Sequence, residues 1–395
     1  MTKLLIKLFI KNSDKPENPV IRARYGMLSG IVGIVCNILL TVAKFIVGTV
    51  TGSIAITADA VNNLSDAGSS AVTLFSFKLA NRPADEEHPF GHGRIEYISA
   101  MAVAFLVLMM GVELIRSSID KIINPEPVQF SIAALIVLLL SIGAKIWLAL
   151  FNRSIGKRIN SPAVGAVMMD SLSDTAATAV SMVALILSKF TSFPLDGYMG
   201  IIVALFIFYT GISIFKDTLG VLLGKVPDPA LVKSLEEEIL SYDGIVGVHD
   251  LIVHDYGPSR VFASAHAEVP ASDDIMECHD TVDRIERDIK RKFKIDMVIH
   301  MDPIVVDDEA INEMRLKLAG IVKSVDPSFT MHDFRMVDGP THTNLIFDLV
   351  IPHKCKMKKM EIFDLVNSRV NELGDNYYTV ITIEHSFVEQ TGLEK

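Results

Sequence analysis

Asp59 and Asn63 stand four residues apart, as do Asp170 and Asp174, each pair inside a long apolar stretch. In a helix that spacing is about one turn, so each pair shares a face. A carboxylate at membrane depth costs roughly 3 kcal/mol or more unless it is paired, protonated or coordinated. Three carboxylates and an amide in two such stretches therefore point to a shared ligand, and a divalent cation satisfies all four. The donors are oxygens alone. Hard oxygen ligands suit Mn2+, Mg2+ or Ca2+, whereas Zn2+ sites usually include imidazole or thiolate. The pattern thus tilts toward Mn2+, with Fe2+ compatible. The competing explanation pairs these aspartates with lysines such as Lys44 and Lys145, which accounts for one aspartate better than for two spaced pairs. Lys145 is expected to pair with Glu113 instead.

Two further groups could bind cations. In Asp85-Glu-Glu-His88-Pro-Phe-Gly-His92, the two histidines and Asp85 form a loop site, or else a turn flanked by solvated acids. Farther along stand His249, His254, His266, His279 and His300 with Asp250, Asp255 and Asp302. His332, Asp333, His342, His353 and His385 follow. A lone histidine is usually structural, but several at strand ends facing one helix could make a site, the first group more readily than the second.

The elements that must position these residues come next. Six apolar segments, near 27–50, 54–80, 97–119, 130–151, 163–188 and 198–222, are long enough to span a bilayer. Lys and Arg gather at the N-terminus and in the second and fourth loops, which places both termini in the cytoplasm. Residues 1–25 carry Lys3, Lys7, Lys11, Lys15, Arg22 and Arg24 with Leu4, Leu5, Leu8 and Phe9 at helical spacing. They read as an amphipathic helix on a membrane surface rather than a cleaved signal. Pro227 and Pro229 end the last apolar segment.

Beyond it the pattern changes to period two and repeats. Val248-His-Asp-Leu-Ile-Val with Gly257-Pro258, Ala265-His-Ala-Glu-Val-Pro270, a helix over 273–293 and Met297-Val-Ile-His300 form one unit. Met331-His-Asp-Phe-Arg-Met with Gly339-Pro340, Phe347-Asp-Leu-Val-Ile-Pro352, a helix over 357–373 and Val380-Ile-Thr-Ile-Glu-His385 form a second. Helices at 229–241 and 308–324 precede them, so both read αββαβ. The expected fold is an α-helical membrane protein with six transmembrane helices followed by two tandem ferredoxin-like α+β units. The divisions fall at 1–25, 26–225, 226–304 and 305–395.

Half of the 395 residues are hydrophobic, too many for an ordinary soluble chain. The charge is split: residues 226–395 carry 32 acidic and 18 basic side chains, leaving the membrane part basic and the remainder acidic. That argues against nucleic acid as a partner and is compatible with cations. Cys36, Cys278 and Cys355 are too scattered for a disulfide framework or a thiolate zinc site. No nucleophile–base pair, phosphate loop or organic-cofactor motif is present, so no enzyme is expected.

The motifs TADAVNNLSDAGSS, PADEEHPFGHGRIEY, DSLSD, LLGKVPDP and GPSRVFASAHAEVP resemble the cation diffusion facilitator family over about residues 20–303. The resemblance implies a tetrahedral site for the transported divalent metal between the second and fifth helices. It also implies a homodimer with inward- and outward-facing states that exchanges metal for protons. Zinc members have His-x-x-x-Asp in the fifth helix; here Asp170 stands at the histidine position. The set Asp59, Asn63, Asp170 and Asp174 resembles the manganese-exporting branch. By position, Asp85, His88 and His92 match a loop site of the zinc exporters. His249, His266, His279, His300 and Asp302 match their cytoplasmic dimer-interface site. Gly224 stands where zinc exporters can carry an aspartate that pairs with a loop base, here Arg94, so that interlock is expected to be absent. The implied function is Mn2+/H+ antiport out of the cytoplasm, across a bacterial plasma membrane. Export of Zn2+, Fe2+ or Co2+, or a membrane-anchored metal-sensing scaffold, are the alternatives. Residues 308–395 lie outside the family pattern.

Overall fold

The computed structural model describes residues 2–11, 13–51, 54–124, 132–187, 195–258, 260–374 and 376–386. Its contacts divide into two units, Met1–Lys225 with Tyr256–Arg260, and Val226–Asp255 with Val261–Lys395.

The first unit is helical. A short α1 (Thr2–Phe9) precedes six long helices: α2 (Pro19–Thr51), α3 (Ile54–Ala80), α4 (Ile95–Ile123), α5 (Ile132–Ile159), α6 (Pro162–Leu187) and α7 (Leu195–Leu222). In α1, Ile6 turns inward against Ile21 and Tyr25 while Leu4, Leu8 and Phe9 are exposed, so the helix is two-faced. Among the described residues, four stretches are long and apolar enough to cross a membrane: Pro19–Val50, Ile95–Ile123, Leu135–Ile159 and Gly197–Leu222. Six long helices stand where six spans are expected, but among the described residues only four of them qualify as spans on apolarity. α3 and α6 do not qualify, and α3 and α6 are the helices that carry Asn63 and Asp66 and Asp170, Ser171, Ser173 and Asp174.

Packing explains how such polar helices are tolerated. α3 and α6 lie against each other, and each also lies against α4. α2 covers α3 and α5, and α7 covers α4 and α6. The α2–α3 approach is close because α2 presents Gly26, Gly30 and Gly33. A Cβ on Gly30 would come 2.7 Å from Leu74, and one on Gly26 would enter the Phe77 ring. At one end Tyr25, Phe77, Phe151 and Ile155 form a closed apolar cluster. Beside it Arg22 donates two hydrogen bonds to the buried Glu96, at 2.6 and 2.9 Å, and a third to the Ile159 carbonyl at 2.9 Å, joining α2, α4 and α5.

The second unit contains two three-stranded sheets. The first has α8 (Pro229–Leu240), β1 (Gly247–Asp255), β2 (Val261–Pro270), α9 (Ile275–Phe293) and β3 (Ile295–Ile304). The second has α10 (Glu309–Val325), β4 (Thr330–Asp338), β5 (Thr343–Ile351), α11 (Lys359–Asn371) and β6 (Tyr377–His385). In each, the first strand pair is antiparallel and the second parallel. Aspartates cap α8, α9 and α10, each accepting a hydrogen bond from the first-turn backbone. Apolar residues at helical spacing (Leu235, Ile239, Ile285, Ile289; Leu318, Val322, Val366, Val370) close over strand residues of period two to form two separate cores.

The repeat extends to backbone detail. β1 shifts register between His249 and Ile252, and β4 shifts between His332 and Arg335. The residue that absorbs each shift is an aspartate with positive φ, Asp250 at 50° and Asp333 at 52°. Asp tolerates that left-handed conformation better than most residues.

Candidate functional site

In the membrane unit, helix packing brings Asp66, Asp170 and Asp174 together, with one carboxylate oxygen of each within 4.8 Å of the others. All three are buried, as is Asn63. The Asn63 amide fits its surroundings with its nitrogen 3.3 Å from Asp66 Oδ2 and its oxygen accepting from Lys44 Nζ at 2.9 Å. Lys44 also pairs with Asp59 at 2.7 Å. Asp59 is partly exposed and stands to one side of the triad. Of the four residues picked out by one-turn spacing, three thus lie in or beside the carboxylate cluster, and Asp59 joins it through Lys44.

Asp66, which that spacing did not pick out, takes a central place. It follows Asn63 by three residues and so shares its face. Lys145 reaches the cluster from α5 and donates to Asp66 Oδ2 at 2.6 Å and Asp174 Oδ2 at 2.5 Å. The expected pair of Lys145 with Glu113 does not form. Glu113 is exposed on α4, and the buried acids of α3 and α6 offer an ammonium far better compensation for lost hydration. Even with Lys145 in place, Asp66 Oδ1, Asp170 Oδ1 and Asp174 Oδ1 are buried without a hydrogen-bond partner. Three buried carboxylates that approach one another, each with an oxygen lacking a hydrogen-bond partner, are a ready set of hard ligands. Four carboxylates facing two ammoniums leave a deficit of two charges when all are ionised. One divalent cation or two protons would close it.

In the loop between α3 and α4, Asp85, His88 and His92 come together. Asp85 Oδ1 lies 3.3 Å from His88 Nδ1, and Oδ2 lies 3.4 Å from His92 Nε2. The His88 backbone N–H donates to Asp85 at 2.7 Å and holds that carboxyl below its usual pKa. His92 Nδ1 is buried without a partner. Arg94 lies over the Tyr256 ring, 4.3 Å from its centroid.

In the second unit Asp302 is the hub of three imidazoles. His266 Nδ1 is 2.8 Å and His249 Nε2 is 3.2 Å from Oδ2, while His300 Nε2 is 3.2 Å from Oδ1. Burial opposes a charge on His249, but the carboxylates of Asp250, Glu268 and Asp302 prevail and hold its pKa above the usual value. His279 does not join this group. It is exposed on α9, in a groove of about 340 Å3 that it shares with His300 and Glu286. Its position follows from the helix: the buried face of α9 is taken by Cys278, Val282, Ile285 and Ile289, and His279 points elsewhere.

Residues 30–223 match the model of the cation efflux transmembrane domain, and residues 227–304 match that of the cation efflux protein cytoplasmic domain. An uncharacterized transporter of Methanocaldococcus jannaschii is 33% identical over 63% of this chain and 88% of its own length. The cation-efflux pump FieF of Escherichia fergusonii is 30% identical over 68% of this chain and 89% of its own, and that of Yersinia enterocolitica 29% over the same shares. The chain belongs to the cation diffusion facilitator family. As a cation diffusion facilitator it is an integral membrane transporter of metal cations rather than an enzyme. Residues 305–395, the second αββαβ repeat, lie beyond both family models.

Proposed function

We propose that this cation diffusion facilitator exports divalent cations from the cytoplasm in exchange for protons, with Mn2+ as the preferred cargo. The observation that carries the reading is the buried set Asn63, Asp66, Asp170 and Asp174, which offers oxygen donors and no imidazole or thiolate. Asp59 completes the transport site from its edge, held by Lys44. In this reading α2–α7 all span the bilayer, α3 and α6 turning their polar faces to neighbouring helices and apolar residues such as Val61, Leu64, Phe75 and Leu172 outward. Both termini face the cytoplasm, the membrane is the bacterial plasma membrane, and the protein acts as a homodimer. The working divisions are 1–25, 26–225, 226–304 and 305–395.

The charge deficit sets the mechanism. A divalent cation entering from the cytoplasmic side meets three convergent carboxylate oxygens and must take Asp66 and Asp174 from the Lys145 ammonium. Once it is bound, the cluster is neutral and tolerable at membrane depth. The bundle then rocks to open the site outward. Protons compete there for the same carboxylates, release the metal and keep the cluster neutral on the return. Asp85, His88 and His92 form a loop site near the entry, and His249, His266, His300 and Asp302 a cytoplasmic one, with His279 contributed at a dimer interface.

The test is uptake by proteoliposomes under an imposed proton gradient, with Mn2+ and Zn2+ compared side by side. The expected result is Mn2+ uptake well above Zn2+. Equal or greater Zn2+ uptake would show that donor softness does not set selectivity here. No gradient-driven uptake of either ion would overturn the antiport reading.

A further inference from the structure

The second αββαβ repeat has no place in the transport reading, yet its strands carry a copy of the cation-binding pattern of the first. Register makes the correspondence explicit. His249 on β1 stands opposite His266 on β2, and His332 on β4 stands opposite Asp348 on β5. Asp302 lies two residues beyond the β3 partner of His266, and Glu384 lies two residues beyond the β6 partner of Asp348. The triad His249, His266, Asp302 thus recurs as His332, Asp348, Glu384, and in both triads the three ligand atoms lie within 4.8 Å of one another.

The two triads meet at a seam within the second unit. The His249 and His332 rings stack with centroids 4.2 Å apart. Asp250 crosses the seam: its Oδ1 lies 3.7 Å from His332 Nε2, and its Oδ2 3.5 Å from His249 Nδ1. Glu384 Oε1 is 3.0 Å from His332 Nε2 on the other side. Burial, and then the nearby Asp250 carboxylate, push Glu384 above its usual pKa. The counterpart of Asp250, Asp333, is instead held by Arg335 at 2.9 Å, which leaves Asp250 as the carboxylate of the seam.

A second observation points to a missing ligand. The His249 side chain is only 9% exposed, and neither of its ring nitrogens makes a hydrogen bond, although carboxylate oxygens stand 3.2 and 3.5 Å away. His332 Nδ1 is likewise buried without a partner. Buried imidazole nitrogens without partners, beside carboxylates near enough but not aligned for a hydrogen bond, are what a cation site looks like before the ion draws its ligands in.

We propose that His332, Asp348 and Glu384, completed by Asp250 from the first repeat, bind a divalent cation that clamps the two αββαβ repeats together. One imidazole with three carboxylates makes this site harder than the His249, His266, Asp302 triad beside it, so Mn2+ suits it better than Zn2+. The site does not rest on the transport reading, since a chain that moved no ion would still fill it.

The test uses the full-length purified chain in detergent, dialysed to equilibrium against Mn2+, with metal per chain measured by elemental analysis. The double variant D348N/E384Q keeps side-chain shape and removes two charges. It is expected to bind one Mn2+ fewer per chain than wild type, and D250N to bind that ion about ten-fold or more weakly. Unchanged stoichiometry and affinity in both would overturn the site. Hydrogen exchange of wild type covers the case in which the double variant misfolds. Added Mn2+ should protect β4 and β6 amides, and an absence of protection there would equally overturn the proposal.

Discussion

Asp66 and Lys145 decide how the membrane cluster behaves, and only half of that was legible in the spacing of its residues. The one-turn pairs Asp59/Asn63 and Asp170/Asp174 stand out, although Asn62 and Asp66 keep the same interval on a neighbouring strip of the helix. Asp66 is three residues from Asn63 on the same face, an equally readable interval, but it sits in a run of serines that also reads as an ordinary polar patch. Which lysine meets which acid was not readable, because it depends on the approach of α2 and α5 to α3 and α6. Replacing Asp174 or Asp66 by Asn is expected to lower initial transport rates by roughly a hundred-fold or more while the protein still purifies as a folded species. Transport by both variants within a few-fold of wild type would remove the cluster from the mechanism. Asp170→His adds an imidazole to an oxygen-only site, so Zn2+ uptake should rise relative to Mn2+ in the same vesicles. Lys145→Met leaves Asp66 and Asp174 without their ammonium and should destabilise the metal-free protein by about 3 kcal/mol. Because a cation then replaces what was lost, Mn2+ should raise the melting temperature of this variant more than that of wild type.

At the scale of elements, the six long helices and the αββαβ order followed directly from period and from the prolines at 227 and 229. What could not be read was the α2–α3 contact. Gly26, Gly30 and Gly33 look like scattered small residues until α3 is seen to press on them. Gly30→Leu should force these helices apart and cost about 1–3 kcal/mol, seen as a lower melting temperature in detergent. Gly68→Ala on α3, where a Cβ meets open space, is the control and should be neutral or slightly stabilising. The repeat was readable as paired His-Asp and Gly-Pro dipeptides. Its consequence, two matching bulges that aim His249 and His332 at each other, needed the register. His279 shows the opposite failure: its family position suggests a ligand, but the buried stripe of α9 turns it away from the Asp302 hub of its own chain.

For the whole molecule, the division of charge between a basic membrane part and an acidic remainder fits the proposed arrangement, in which one part carries the ion and the other binds cations. In the proposed transport site, the ammonium of Lys145 bears on which ions can be carried at all. Lying between Asp66 and Asp174, it is a monovalent cation on a tether, held at high local concentration. A free Na+ or K+ that displaced it would exchange one positive charge for another and lose hydration in doing so, whereas a divalent ion brings one charge more. Discrimination against monovalent cations then needs no size filter, because the occupant that they must outbid is part of the chain.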